Sequence, residues 1–223
     1  MRKTKHTDDE GGTFHRSIGV MGGTFDPIHY GHLVAAESAY ESFSLSEVIF
    51  VPAGDPPHKT GDDVTPARHR LEMARLATED NPHFRVSPIE VERAGLSYTI
   101  DTMRDFRDRY GSDVDLYFIT GIDAILQIPE WNNTEGLFEI CRFIAATRPG
   151  YSISELNRFK QQLHPEYRER IIALEVPALA ISSTDLRRRV AEGRSIRYLV
   201  PDPVAEYIRE QRLYRDREYR SEA

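Results

Sequence analysis

Short apolar runs of strand length alternate with stretches of helical period along almost the whole chain, and no other feature limits its fold as much. The runs are SIGVMGG (17–23), EVIFVPAG (47–54), FRVSPIEVERAG (84–95, a strand interrupted by Pro88), DVDLYFITG (113–121), CRFIAATRPG (141–150) and RIIALEVP (170–177). Between and after them lie six segments with helical spacing or helix start and stop signals. YGHLVAAESAYESF (30–43) puts Leu33, Ala36 and Tyr40 on one face. TPARHRLEMARLATED (65–80) offers Thr65 as N-cap and Pro66 as first helical residue. SYTIDTMRDFRDRYG (97–111) stops at Gly111, and SISELNRFKQQL (152–163), ISSTDLRRRVAEG (181–193) and DPVAEYIREQRLY (202–214) follow. Strands separated by helices form a parallel sheet covered on both faces. The expectation is a single doubly wound, Rossmann-like α/β domain with a mostly parallel sheet over 17–215, between tails at 1–16 and 216–223. Ligands of such sheets bind beyond the carboxyl ends of the strands.

Composition narrows the class. A chain of 223 residues with 39% hydrophobic and 29% charged residues can bury a sizeable core. No apolar run approaches the roughly 20 residues that span a bilayer. The start, MRKTKHTDDEGG, is charged and leads into no apolar stretch. It reads as a disordered tail, not a secretory signal. Cys141 is the one cysteine, so neither an intramolecular disulfide nor a thiolate zinc cage can form. In the stretch EICRFIAAT it reads as a small buried hydrophobe. A cytoplasmic location and no membrane partner are expected. Net charge is −7, and the basic residues are interleaved with acidic ones, as in RDFRDRYGSD. Nucleic-acid binders carry a basic face or stripe, so none is expected as partner. A small phosphorylated ligand remains compatible with a locally positive site.

The tetrapeptide GGTF occurs at 11–14 and again at 22–25. The first copy follows a charged tail with no strand before it. The second ends the apolar run at 18–21 and leads into the segment starting near Tyr30. Strand, glycine turn and helix N-terminus together make an anion site, because backbone N–H groups and the helix dipole point outward there. The loop is neither a Walker loop nor GxGxxG. His29 and His32, three apart in DPIHYGH, face one side of the helix entry, and Gly31 between them permits close backbone approach. Metal ligation needs a third ligand, and none is evident nearby. Taken alone the pair reads as structural; beside the glycine loop it reads as phosphate contact.

GGTFDPIHYGH resembles the T/HxGH signature of the nucleotidyltransferase superfamily, and ISSTDLR (181–187) resembles its second element, ISSTxxR. VPAGDPPHK, SYTIDT, YFITGIDAI, the Trp in IPEWNN and ATRPGY are similar to the bacterial nicotinate-nucleotide adenylyltransferases. The resemblance covers roughly Ile18 to Tyr214. It implies adenylyl transfer from ATP to nicotinate mononucleotide, giving nicotinate adenine dinucleotide and pyrophosphate in NAD biosynthesis. Mg²⁺ would be carried with ATP, without a protein cage.

The resemblance also assigns residues. His29, His32 and Arg187 would be catalytic. Gly22, Gly23, Thr24, Phe25, Asp26, Gly121, Asp123, Arg148, Ile181, Ser182, Ser183 and Thr184 would complete the ATP site. His58, Lys59, Tyr98, Thr99, Asp123 and Trp131 would hold nicotinate mononucleotide, with the Trp131 ring stacked on the pyridine. Asp26 could equally anchor the loop, and Trp131 a core. Ser182 with Asp185 fits a capping box, and Arg188 and Arg189 fit a solvated face. Asp55, Asp62 and Asp63 place negative charge in a loop expected to meet an anionic substrate. They either face solvent when the loop closes or raise the Michaelis constant. Another phosphorylated acceptor, nicotinamide mononucleotide or phosphopantetheine, and a non-catalytic nucleotide-binding role are the alternatives. Homo-oligomerisation stays open.

Overall fold

In the computed structural model, residues 16–56, 64–147, 153–177 and 179–215 are described. Six strands form one sheet: β1 (Arg16–Gly23), β2 (Glu47–Pro52), β3 (Phe84–Val86), β4 (Val114–Gly121), β5 (Arg142–Thr147) and β6 (Ile171–Glu175). Their order is β3-β2-β1-β4-β5-β6, and every neighbouring pair is parallel. The chain winds outward from β1 to β3, then crosses back to β4 on the other side of β1. The switch point therefore lies between the carboxyl ends of β1 and β4.

Side chains alternate across each strand, and both faces are buried, which is why the runs are apolar throughout. Val48, Phe50, Tyr117, Ile119 and Ile144 face one core with residues of α1 (Tyr30–Ser42), α2 (Ala67–Thr78), α9 (Ser183–Ala191) and α10 (Asp202–Glu210). Ile18, Val20, Ile49, Val51, Phe118 and Phe143 face the other. That core is closed by α4 (Thr99–Tyr110), α5 (Ile122–Leu126), α6 (Thr134–Ile140) and α7 (Ile153–Gln162). Among the described residues no helix is long and apolar enough to cross a membrane.

Several local expectations are corrected. The strand at 84–95 is three residues long; Pro88, lacking an N–H for the ladder, instead precedes α3 (Ile89–Glu92). The helix at 65–80 starts at Ala67 with Pro66 as N-cap, and Thr65 makes no side-chain cap. Thr65 is buried instead, its N–H donating to Asp26 and its carbonyl accepting from Arg70. Ser182 does cap α9, accepting from the Asp185 N–H at 3.2 Å. The reciprocal half of the box is not formed, because the Asp185 carboxylate is held by Arg188 and Arg189, each at 2.6 Å. The stretch 122–140, which carries no strong period, forms α5, a 3-10 turn at Ile128–Glu130 and α6. A further short helical turn, α8 (Pro165–Arg168), lies between α7 and β6. Gly111 ends α4 at φ 79°, as its position after the helical pattern predicts.

Candidate active site

Two cavities of about 270 Å³ each open at the switch point and share one wall, formed by Gly22, Gly23 and Thr120. The first is bounded by Tyr98, Thr99 and Trp131. The second is bounded by His29, Gly31, His32 and Gly121. A wider, open hollow of about 960 Å³ lies between α9 and α10, lined by Arg194, Arg197 and Arg209 among others. Neither the glycine loop nor the histidines line it.

Gly22 and Gly23 are not a turn, contrary to the sequence reading. They are the last residues of β1, in register with Val51 and Pro52. Side-chain packing requires them. A Cβ on Gly22 would lie 2.8 Å from the Phe118 ring, and one on Gly23 2.8 Å from the Phe25 ring. Phe25 turns the chain at φ 49°, and its ring is buried against Phe50 and edge-on to His32 at 5.0 Å. The Asp26–Pro27 peptide is cis.

His29 is the N-cap of α1. Its Nδ1 accepts from the Gly31 N–H at 3.1 Å, and the His32 Nδ1 accepts from the His29 N–H at 3.2 Å. The rings stack at 3.8 Å. A nitrogen that accepts a backbone N–H carries no proton, so the neutral rings carry theirs on Nε2. Both histidines thus line the second cavity as Nε2–H donors, beside the amino end of a helix.

The two motifs from opposite ends of the chain meet here. The Ser183 hydroxyl donates to the Pro27 carbonyl at 2.9 Å, and Arg187 Nη1 donates to the Asp26 carbonyl at 2.7 Å. Arg187 Nη2 reaches Thr184 Oγ1 at 3.4 Å. Ile181 is buried, while Ser182 and Thr184 are exposed at the start of α9. Gly121 and Asp123 are exposed where β4 runs into α5. The Asp26 carboxylate accepts from Tyr214 Oη at 2.7 Å and from the Thr65 N–H at 3.1 Å. This favours the anchoring reading of Asp26 over direct ligand contact.

Around the first cavity, Trp131 is half-buried, edge-on to Phe118 at 5.8 Å and to Phe143 at 6.3 Å. It is both core anchor and cavity wall. Tyr98 and Thr99 sit at the start of α4, whose N-cap makes no side-chain hydrogen bond. Asp55 faces solvent and donates its N–H to Ser97 Oγ at 3.3 Å. His58, Lys59, Asp62, Asp63, Arg148, the first GGTF and residues 1–15 and 216–223 lie outside the described residues, while Arg16, expected in the N-terminal tail, opens β1.

Four residues escaped the sequence reading. Thr120, on the shared wall, was findable as the penultimate residue of a strand. Arg70 is 1% exposed, and its guanidinium donates to the carbonyls of Thr65, Thr24 and Gly54 at 2.7, 2.8 and 2.9 Å. Its signal was spacing: 70, 73, 74 and 77 share one helix face, and the other three are apolar and buried. Glu90 borders the first cavity and accepts from the Thr102 hydroxyl at 2.6 Å. Burial pushes its carboxyl above the ordinary 4.5, and hydroxyls of Thr102 and Ser97, with Arg93, pull it partly back. Tyr214 left no signal beyond being aromatic near a terminus.

The cytidylyltransferase-like family matches residues 20–189. A relative in Moorella thermoacetica, a "probable nicotinate-nucleotide adenylyltransferase", is 56% identical over 200 residues, 90% of this chain and 92% of its own. One of the same name in Thermoanaerobacter is 51% identical over 198 residues, 89% and 94% of the two chains. A Plasmodium falciparum nicotinic acid mononucleotide adenylyltransferase complexed with NaAD superposes with a TM-score of 0.71 at 20% identity. It covers 90% of this chain and 98% of its own, and at that identity the likeness is one of fold.

Proposed function

We infer the reaction from the family: the chain belongs to the cytidylyltransferase-like family and, within it, to the nicotinate-nucleotide adenylyltransferases. It transfers the adenylyl group of ATP to nicotinate mononucleotide, releasing pyrophosphate and forming nicotinate adenine dinucleotide. The observation that carries the mechanism is the pair of cavities sharing the Gly22–Gly23–Thr120 wall. Nicotinate mononucleotide occupies the Trp131 side and ATP the histidine side. Their phosphates meet over the two glycines, where no side chain stands between them.

The 5′-phosphate oxygen of the acceptor attacks the α-phosphorus of ATP, and the bond to the β,γ-pyrophosphate breaks. The nucleophile is already an anion, so no protein base has to remove a proton. The site's work is alignment and stabilisation of the charge that builds on phosphate oxygens. His29 and His32 donate Nε2–H to those oxygens, and their capped Nδ1 atoms hold the rings in that tautomer. Arg187, Ser183, Thr184 and the amino end of α9 face the triphosphate, with Gly121, Asp123, Ser182 and Ile181 framing the nucleoside. Supporting this are the hydrogen bonds that fix α9 to Asp26 and Pro27. Trp131 stacks on the pyridine, and the first-turn N–H groups of α4 at Thr99 meet the nicotinate carboxylate. His58 and Lys59 complete the acceptor site, and Arg148 the ATP site.

Mg²⁺ enters with ATP. When bound, the cation would be held chiefly by the substrate phosphates and would neutralise charge on them. The enzyme works in the cytoplasm, where its substrates are small phosphorylated metabolites.

The test is pyrophosphate release with ATP and Mg²⁺, supplying nicotinate or nicotinamide mononucleotide in turn, for wild type and His32→Ala. Release with the nicotinate form, reduced at least about a hundredfold in the variant, is the expected result. Equal release with both acceptors would refute the acceptor assignment, and an unimpaired variant the role of His32.

A further inference from the structure

Asp26 joins three stretches that are distant in sequence. Its main-chain carbonyl holds Arg187, and its carboxylate holds the Thr65 N–H and the Tyr214 hydroxyl. Asp26 is 3% exposed, so its charge needs those donors. Tyr214 reaches it from beyond the last helix. It is 5% exposed and lies at φ 67°, a left-handed conformation that an aromatic residue adopts only when its surroundings hold it there. Burial and the Asp26 carboxylate push its phenol pKa upward, so the hydroxyl is a donor throughout the working pH range. Tyr214 lines neither cavity.

We propose that Tyr214 is a positioning residue for adenylyl transfer: it holds the Asp26–Pro27 segment so that Arg187 and Ser183, which bond to that segment's carbonyls, stay aligned on the phosphates. Without the phenol donor, the buried carboxylate keeps the Thr65 N–H but loses the contact that ties it to the segment beyond α10. The segment that seats Arg187 then moves or loosens. The acceptor cavity lies across the glycine wall and has no contact with the phenol. The effect should therefore fall on kcat and spare the acceptor KM. The inference rests on the adenylyl-transfer reading.

The experiment compares wild type, Tyr214→Phe, Asp26→Asn, the double variant and Tyr207→Phe in steady-state pyrophosphate release, with unfolding temperatures measured in parallel. Tyr207 belongs to α10, and its hydroxyl bonds His69 at 2.9 Å, so it reports loss of C-terminal packing alone. The expected result is a kcat about three- to tenfold lower for Tyr214→Phe, with the KM for nicotinate mononucleotide within about twofold of wild type. Tyr207→Phe should keep its kcat. Asp26→Asn keeps the side-chain shape and should show the same selective loss, so the idea remains testable if Tyr214→Phe folds poorly. The losses in the double variant should fall short of the sum of the two single losses, because both substitutions act on the Tyr214–Asp26 contact. A wild-type kcat in Tyr214→Phe, or additive losses, would overturn the proposal. An inactive wild type would instead strike down the adenylyl-transfer reading, before any variant is compared.

Discussion

Replacing Arg70 with Met tests the buried framework under the site most directly. Met fills much of the same volume but carries no donor, so the carbonyls of Thr24, Gly54 and Thr65 all lose their partner at once. A carbonyl left without its donor costs about 1–3 kcal/mol, less where water can replace the donor, so about 3–5 kcal/mol is lost over the three. For a chain of this size each kcal/mol lowers the unfolding temperature by about 2–4 °C, so a fall of roughly 6–20 °C is expected. Scanning calorimetry or circular dichroism reads it. Thr24 lines the first cavity, and Gly54 follows Ala53, which lines it too, so the KM for nicotinate mononucleotide should rise. Arg70→Lys should recover only part of the loss, since one ammonium cannot span three carbonyls held by a planar fork. A loss below about 1 kcal/mol, the size expected of a surface arginine, would refute the reasoning.

Glu90 gives a pH dependence with a definite sign. Its folded pKa is raised above 4.5 by burial, so the folded state holds the proton more tightly than the unfolded chain. The stability this confers is complete below 4.5 and is lost as pH rises through the folded value. Urea midpoints from pH 4.5 to 7 should therefore show Glu90→Gln gaining on wild type as pH rises; parallel curves would contradict the assignment. Cys141 is 1% exposed, bonded to the Leu137 carbonyl, and burial pushes its thiol up to about 12. A maleimide at pH 8 should label it only after denaturant is added, and labelling of the native protein would show that the site opens.

The alternation of strands with helices and the parallel sheet were legible in the linear pattern, although the short helices α3, α5, α6 and α8 were not. Strand and helix period are local properties of the backbone, and apolar runs between helices admit few arrangements. The helix start in ISSTDLR was legible as well, because the Ser182 cap is a local signal. Other features required the third dimension. Gly22 and Gly23 read as a turn, yet they are strand residues kept small by the ring of Phe118, on the neighbouring strand β4, and by that of Phe25, which folds back onto Gly23. Asp26 read equally as ligand contact or anchor until Tyr214 and Thr65 were found on its two oxygens. Arg70 looked like one more charge on a helix rich in them. Its work is done with carbonyls of three loops, and a backbone carbonyl has no sequence signature. Sequence determines what a residue can donate or accept; only the folded chain brings the partner within 3 Å.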